Sequence, residues 1–181
     1  MTRSSLVAPR DILTVDVEEW FHGHNYLDHV PPATWDDQEL RVEKGMAVCL
    51  DLLDRHAVKG TFFVLGWTAD RFPDVVREIV RRGHEVGCHS YSHPEVFKLT
   101  AEAFRSDCEN ALEALAAAGV ERPLGYRAPS FSITPAVHDY LEILQDLGFN
   151  YDCSLFPVHH PRYGQPDSPR QPFALGPGPD D

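Results

Sequence analysis

Two imidazoles stand four residues apart in Gly87-Cys88-His89-Ser90-Tyr91-Ser92-His93-Pro94, directly behind a short apolar run. On a helix or in a tight turn that spacing turns both rings to one side, and a neutral imidazole nitrogen binds Zn²⁺ or a similar borderline cation. An H-x3-H pair alone fits two solvated or core histidines as well, so the metal reading requires a carboxylate from elsewhere. Asp16 and Glu18 are the candidates. They lie two apart at the end of the β-rich run Ile12 to Val17, and if strand geometry continues their side chains point the same way. One can then hold a cation while the other takes a proton. His89, His93 and one carboxylate make three protein ligands with a position left for water, which is what metal-assisted hydrolysis requires. The competing reading of Asp16-Val17-Glu18-Glu19 is a solvated acidic cluster at a helix start.

Arg127, in Tyr126-Arg127-Ala128-Pro129-Ser130-Phe131-Ser132, is placed to orient a catalytic carboxylate through a bidentate pair. A surface salt bridge is the alternative, and Pro129, fixing the loop just past a strand end, favours the functional role. Trp20, Phe21, His22, Pro129 and Phe131 adjoin these polar residues and are read as apolar walls for a sugar ring. Taken singly, such aromatics fit core packing better. Cys49, Cys88, Cys108 and Cys153 form no C-x-x-C pair and read as buried thiols; Cys88 neighbours His89, but adjacent strand residues point to opposite faces, so it is not counted as a ligand.

These residues need a scaffold, and the apolar pattern provides one. Strands are expected at Ile12 to Val17 (buried), Gly60 to Gly66, Glu85 to Cys88, Leu124 to Arg127 and Phe149 to Ser154. Helices are expected from Val42 to Arg55, from Pro73 to Gly83, from Thr100 to Gly119 and from Pro135 to Leu147, several with Pro at the entry or Gly at the exit. Alternation of this kind implies βα units and a parallel sheet, as an open sheet or a barrel, and in both the C-terminal strand ends gather the chemistry. Asp16, His89 and Arg127 all fall there.

At 181 residues the chain fits one domain and is short for a complete eight-unit barrel. The pattern assigns residues 1–156 to the α/β domain and 157–181, rich in Pro and Gly, to a loop and a disordered tail. A formal net charge of −12 repels a phosphate backbone and argues against nucleic acid. No apolar run reaches the roughly 20 residues that span a bilayer, and Met1 to Asp11 has no apolar signal core, so the expected location is cytoplasmic. The oligomeric state is not legible.

Taken in order, Thr14-Val15-Asp16-Val17-Glu18-Glu19-Trp20-Phe21-His22, Gly60-Thr61-Phe62-Phe63-Val64, His89-Ser90-Tyr91-Ser92-His93-Pro94 and Arg127-Ala128-Pro129-Ser130-Phe131-Ser132 resemble the motifs of the polysaccharide deacetylase family, carbohydrate esterase family 4. The resemblance runs from about Asp11 to about Ser168. The Asp-Val-Glu-Glu-Trp-Phe-His form and Phe156-Pro157 leading to Arg162-Tyr163-Gly164 are most similar to deacetylases of exosortase-associated exopolysaccharide biosynthesis loci. It implies a distorted (β/α) barrel, here incomplete, and a divalent metal, most commonly zinc. It also implies hydrolysis of the N-acetyl amide of an N-acetylated polysaccharide. Within it, His89 and His93 match the metal-binding histidines and Asp16 the general base. Val17 stands where the commonest form has a second aspartate, so the metal carboxylate passes to Glu18. Arg127 matches the residue that positions the base, and Ser130 the backbone N–H donor to the oxyanion. The family's general acid is a histidine in a later motif; His159 and His160 come too early to match it. A truncated chain of weak or no activity that binds carbohydrate is therefore one alternative, and an amidohydrolase of small cyclic amides is another.

Overall fold

The computed structural model describes residues 11–26, 28–160 and 162–174. Five short parallel strands form one sheet: β1 (Thr14–Val17), β2 (Thr61–Val64), β3 (Glu85–Cys88), β4 (Gly125–Tyr126) and β5 (Tyr151–Asp152). Their spatial order is their chain order, β1-β2-β3-β4-β5. Sequential order without reversal is the arrangement of a barrel wall rather than of a doubly wound sheet. Among the described residues the wall stays open, since β1 pairs only with β2 and β5 only with β4. The first strand is consequently not the buried strand expected: Ile12 is 77% exposed and Asp16 is exposed, because an end strand has a neighbour on one side only.

The pleat sorts the sheet into two unlike faces. Val15, Phe62 and Val86 lie in register, as do Val17, Val64, Cys88 and Tyr126, and all point to one side. There they join the apolar faces of α1 (Val42–Arg55), α3 (Pro73–Arg81), α4 (Ala101–Ala117) and α5 (Tyr140–Asp146) in one core cluster. Leu50, Phe62, Ile79, Phe104 and Leu115 are essentially inaccessible in it, each adding on the order of 1.5–3 kcal/mol by leaving water. The opposite face carries Asp16, Phe63 and Gly87 in register, followed by His89 and Arg127 one step beyond. A Cβ on Gly87 would lie 2.6 Å from the Phe63 ring, so glycine there is what lets that ring lie across β3.

Two elements differ from the sequence expectation. The run Gly60 to Gly66 does not end as strand: Gly66 opens a further helix, α2 (Gly66–Arg71), whose Gly66 and Trp67 N–H groups donate to the carbonyls of Ser90 and Tyr91 at 2.9 Å each. The helix packs so close to α4 that a Cβ on Gly66 would stand 2.8 Å from Ala111 Cα and 2.5 Å from Tyr91 Cδ2. The segment Pro135 to Leu147 is not one helix. A 3-10 turn (Pro135–Val137) precedes α5, and Leu141 N still donates back three residues to His138, so the tighter turn persists until the α-helix takes hold.

The four cysteines are free; Cys88 and Cys108 are buried in the core as expected, whereas Cys49 and Cys153 are only half-buried. The described residues between 157 and 174 contain neither helix nor strand, but Gln165 is buried and pinned, and the disordered tail expected at the C-terminus falls partly on 175–181, outside the described residues. The same holds for residues 1–10. No helix of the described residues is long and apolar enough to cross a membrane.

Candidate metal centre

β3 ends at Cys88 and delivers His89 at the rim of the sheet, where its N–H continues the ladder to the Val64 carbonyl at 3.0 Å. The chain then turns sharply instead of forming a helix. Ser90 and His93 both take left-handed backbone angles (φ +71° and +62°), a strained state for residues with a Cβ. The loop is held from two sides, by the N-terminal N–H groups of α2 and by Asp107 of α4, which accepts from Ser90 Oγ at 2.6 Å and Tyr91 N at 3.0 Å. The result brings the two rings to a centroid distance of 5.3 Å.

Glu18 completes the set. Its Oε2 lies 3.1 Å from His93 Nε2 and 3.9 Å from His89 Nε2, and ligand atoms of Glu18, His89 and His93 all fall within 4.8 Å of one another. Close as it is to His93, Oε2 is buried without a hydrogen-bond partner among the described residues. Nor is the pair an ion pair: burial pushes the His93 imidazole down to about 3, with the charges of His89 and His22 adding to it. Burial likewise raises the Glu18 carboxyl to about 7, helped by the nearby Asp16 charge. His89 is also pushed down by burial. Its Nδ1 stands 2.8 Å from the Arg127 carbonyl, which can only accept, so Nδ1 carries the hydrogen and Nε2 offers a lone pair toward Glu18. An orphaned buried carboxylate oxygen facing two neutral imidazole nitrogens fits a divalent cation, with the mixed N/O donor set that suits zinc.

Asp16 and Glu18 turn to different partners. Arg127 Nη1 donates to Asp16 Oδ1 at 2.7 Å and Nη2 to Thr14 Oγ1 at 2.9 Å, so the pairing is one bond to the carboxylate and one to a hydroxyl, not bidentate. The guanidinium carbon sits 4.2 Å from the Phe63 ring centre, above the shelf that Gly87 makes room for. With the Arg127 side chain only 12% exposed, this is no surface salt bridge. A cleft of about 280 Å³ borders Asp16, Glu18 and Trp20; a second, about 290 Å³, lies away from these residues around Val80 and Val120.

The loop after β4 is built with equal care. Ser154 Oγ accepts from Ala128 N at 2.7 Å and donates to Asp152 Oδ2 at 2.5 Å, while buried Ser132 Oγ accepts from Val96 N at 2.9 Å. Between these anchors Ser130 and Phe131 are left-handed (φ +53° and +51°), and the Ser130 N–H donates to no protein acceptor among the described residues. Pro129 is buried, Phe131 half-buried.

Of the expected sugar-contacting walls, three are corrected, Pro129 among them because it is buried at the start of the 3-10 turn Pro129–Phe131. Phe21 and His22 are fully buried, packed with Trp35 and Trp67 in a second apolar cluster, because a 3-10 turn (Trp20–His22) directs them inward. Only Trp20 of that trio stays exposed, at 36%. The turn is closed locally, His22 N donating to the Glu19 carbonyl at 3.0 Å and Glu19 N to His22 Nδ1 at 2.9 Å, while the buried Glu19 Oε1 accepts from Arg41 N at 2.7 Å and Val42 N at 2.9 Å and so caps α1 across 22 intervening residues. The alternative of a solvated acidic cluster at a helix start does not hold for Glu19, which is buried and caps a helix far down the chain. Asp107, Ser132, Asp152 and Ser154 escaped sequence reasoning, as their partners are 2 to 36 residues away and no local pattern marks them.

The chain is similar in sequence and fold to proteins described as deacetylases. A peptidoglycan-N-acetylglucosamine deacetylase of Bacillus cereus is 40% identical over 97 residues, covering 54% of this chain and 32% of its own. A peptidoglycan deacetylase of Helicobacter pylori is 31% identical over 113 residues, covering 62% and 38%. The crystal structure of a polysaccharide deacetylase homologue from Mycobacterium smegmatis superposes with a TM-score of 0.67 at 30% identity, over 80% of this chain and 50% of that one. The chain thus spans a third to a half of the length of these relatives. Since residues 29–151, which include the His89-His93 loop and Arg127, match the profile described as polysaccharide deacetylase, the chain belongs to the polysaccharide deacetylase family.

Proposed function

We propose that this chain carries the metal site and general base of a hydrolase that removes the acetyl group from the N-acetylated sugars of a polysaccharide. The observation that carries the reading is the convergence of Glu18, His89 and His93 within 4.8 Å, beside an Asp16 already engaged by Arg127. Glu18 Oε2 and the two Nε2 atoms would hold the cation, with zinc the expected metal. The chemistry a cation supplies there is Lewis-acid polarisation of the acetyl carbonyl and acidification of water.

The protein's own groups do the rest. Arg127 occupies Asp16 Oδ1 and leaves Oδ2 to take the proton of an attacking water, with the carboxylate's orientation fixed by the second bond to Thr14. The Ser130 N–H, held out of internal hydrogen bonding by the left-handed backbone, donates to the oxygen on which negative charge develops. The two relatives named as peptidoglycan deacetylases support an N-acetylglucosamine unit as the sugar; an exopolysaccharide polymer belongs to the resemblance of the Asp-Val-Glu-Glu-Trp-Phe-His form.

The test is acetate release from β-1,4-linked N-acetylglucosamine oligomers with added zinc, run beside calorimetric titration of zinc. His89→Ala should lose zinc binding and acetate release together, whereas Asp16→Asn should keep zinc and lose at least about a hundredfold in rate. Acetate release unchanged in both variants refutes the site.

A further inference from the structure

We propose that Phe131, Phe156 and Tyr163 form an aromatic subsite that packs against a pyranose ring neighbouring the one to be deacetylated. This rests on the site read above and extends it along the polymer.

The segment after β5 is not slack chain. Val158 N and Gln165 N both donate to the Phe156 carbonyl at 2.8 Å, which draws the two ends of the loop together. Gln165 is buried, and its Nε2 donates to the Ile133 carbonyl at 3.0 Å, tying the loop to the segment that follows Ser132. So closed, the loop brings Phe156 and Tyr163 against Phe131. The ring centres are 5.0 Å apart for Phe131 and Phe156, 6.0 Å for Phe131 and Tyr163, and 6.1 Å for Phe156 and Tyr163. His160 stacks on Tyr163 at 3.7 Å and fixes that ring from one side.

Three features make the cluster a ligand surface rather than core. None of its rings belongs to either buried apolar cluster, and Phe156 is 37% exposed with Phe131 and Tyr163 half-buried. It adjoins the site: Phe131 follows Ser130, and the Arg127 guanidinium carbon lies 5.8 Å from the Phe131 ring while bonding Asp16. The chain's net charge of −12 repels an acidic partner, whereas a neutral N-acetylated sugar is not repelled and offers an apolar C–H face with a polar rim to aromatic rings.

The test titrates a β-1,4-linked tetramer of N-acetylglucosamine into the full chain by calorimetry, with zinc affinity measured separately. Phe156→Ala and Tyr163→Ala should each weaken tetramer binding at least about tenfold, Tyr163→Phe should bind as the wild type does, and all three should keep zinc affinity. A wild-type chain that binds the tetramer but no zinc upholds the subsite while removing the hydrolase reading. Tetramer affinity unchanged in both alanine variants, or a zinc-binding wild type that does not take up the tetramer, overturns the subsite.

Discussion

Asp152→Asn tests how the loop carrying Arg127 and Ser130 is supported. The Asp152 carboxyl accepts from Ser154 N at 2.8 Å and from Ser154 Oγ at 2.5 Å, and Ser154 Oγ in turn accepts from Ala128 N. Burial nevertheless dominates, raising this carboxyl from 3.8 to about 6. Between those values the folded protein keeps the proton that the unfolded chain has released. The unfolded state therefore binds fewer protons, and stability falls as pH rises through the window: the contribution is full below about pH 4 and gone above about pH 6. At 1.36 kcal/mol per unit the ionised carboxylate costs on the order of 2–3 kcal/mol, reduced by whatever water reaches it. Asparagine is neutral throughout. It retains the acceptor for Ser154 N but cannot accept from Ser154 Oγ as well, a loss of about 1 kcal/mol. Asp152→Asn should thus be less stable than wild type near pH 4 by about 1 kcal/mol and more stable near pH 7.5 by about 1–2 kcal/mol. Urea unfolding of both proteins from pH 4 to 8 measures this, and the difference between them cancels the other carboxylates. A difference that stays flat across that range refutes the account of Asp152.

Asp107→Ala strips the acceptor from Ser90 Oγ and Tyr91 N, and should cost about 2–3 kcal/mol in urea unfolding and about tenfold or more in calorimetric zinc affinity. Gly66→Ala places a methyl group 2.8 Å from the Ala111 backbone and should lower stability by about 1–3 kcal/mol, read as a drop in Tm. Arg127→Lys removes the fork that reaches Asp16 and Thr14 together; acetate release should fall at least about tenfold while zinc affinity holds, since the Arg127 carbonyl that orients His89 is backbone. Glu19→Gln retains one acceptor for the start of α1 and should cost about 1 kcal/mol by thermal denaturation, with Glu19→Ala costing more.

Sequence alone determined the alternation of strands and helices and singled out His89, His93 and two candidate carboxylates, Asp16 and Glu18. The period of apolar residues in a strand differs from that in a helix, and two histidines with a following Pro are a local pattern. It also placed Asp16, His89 and Arg127 at strand ends, because a strand's last residue is marked by where its apolar run stops. Tertiary structure decided what those ends face. Whether Phe21 and His22 line a site or fill a core depends on Trp35 and Trp67, which pack around them from later in the chain. The His93 loop takes its left-handed bends under the joint hold of α2 and Asp107, and the six residues of α2, starting where the apolar run Gly60 to Gly66 ends, are too few to show a helical period. The loop from Phe156 to Gln165 looks like tail by composition, and one buried amide reaching Ile133 makes it part of the fold. Periodicity is written in neighbouring residues, whereas a hydrogen bond across 20 or 30 residues exists only once the chain has folded.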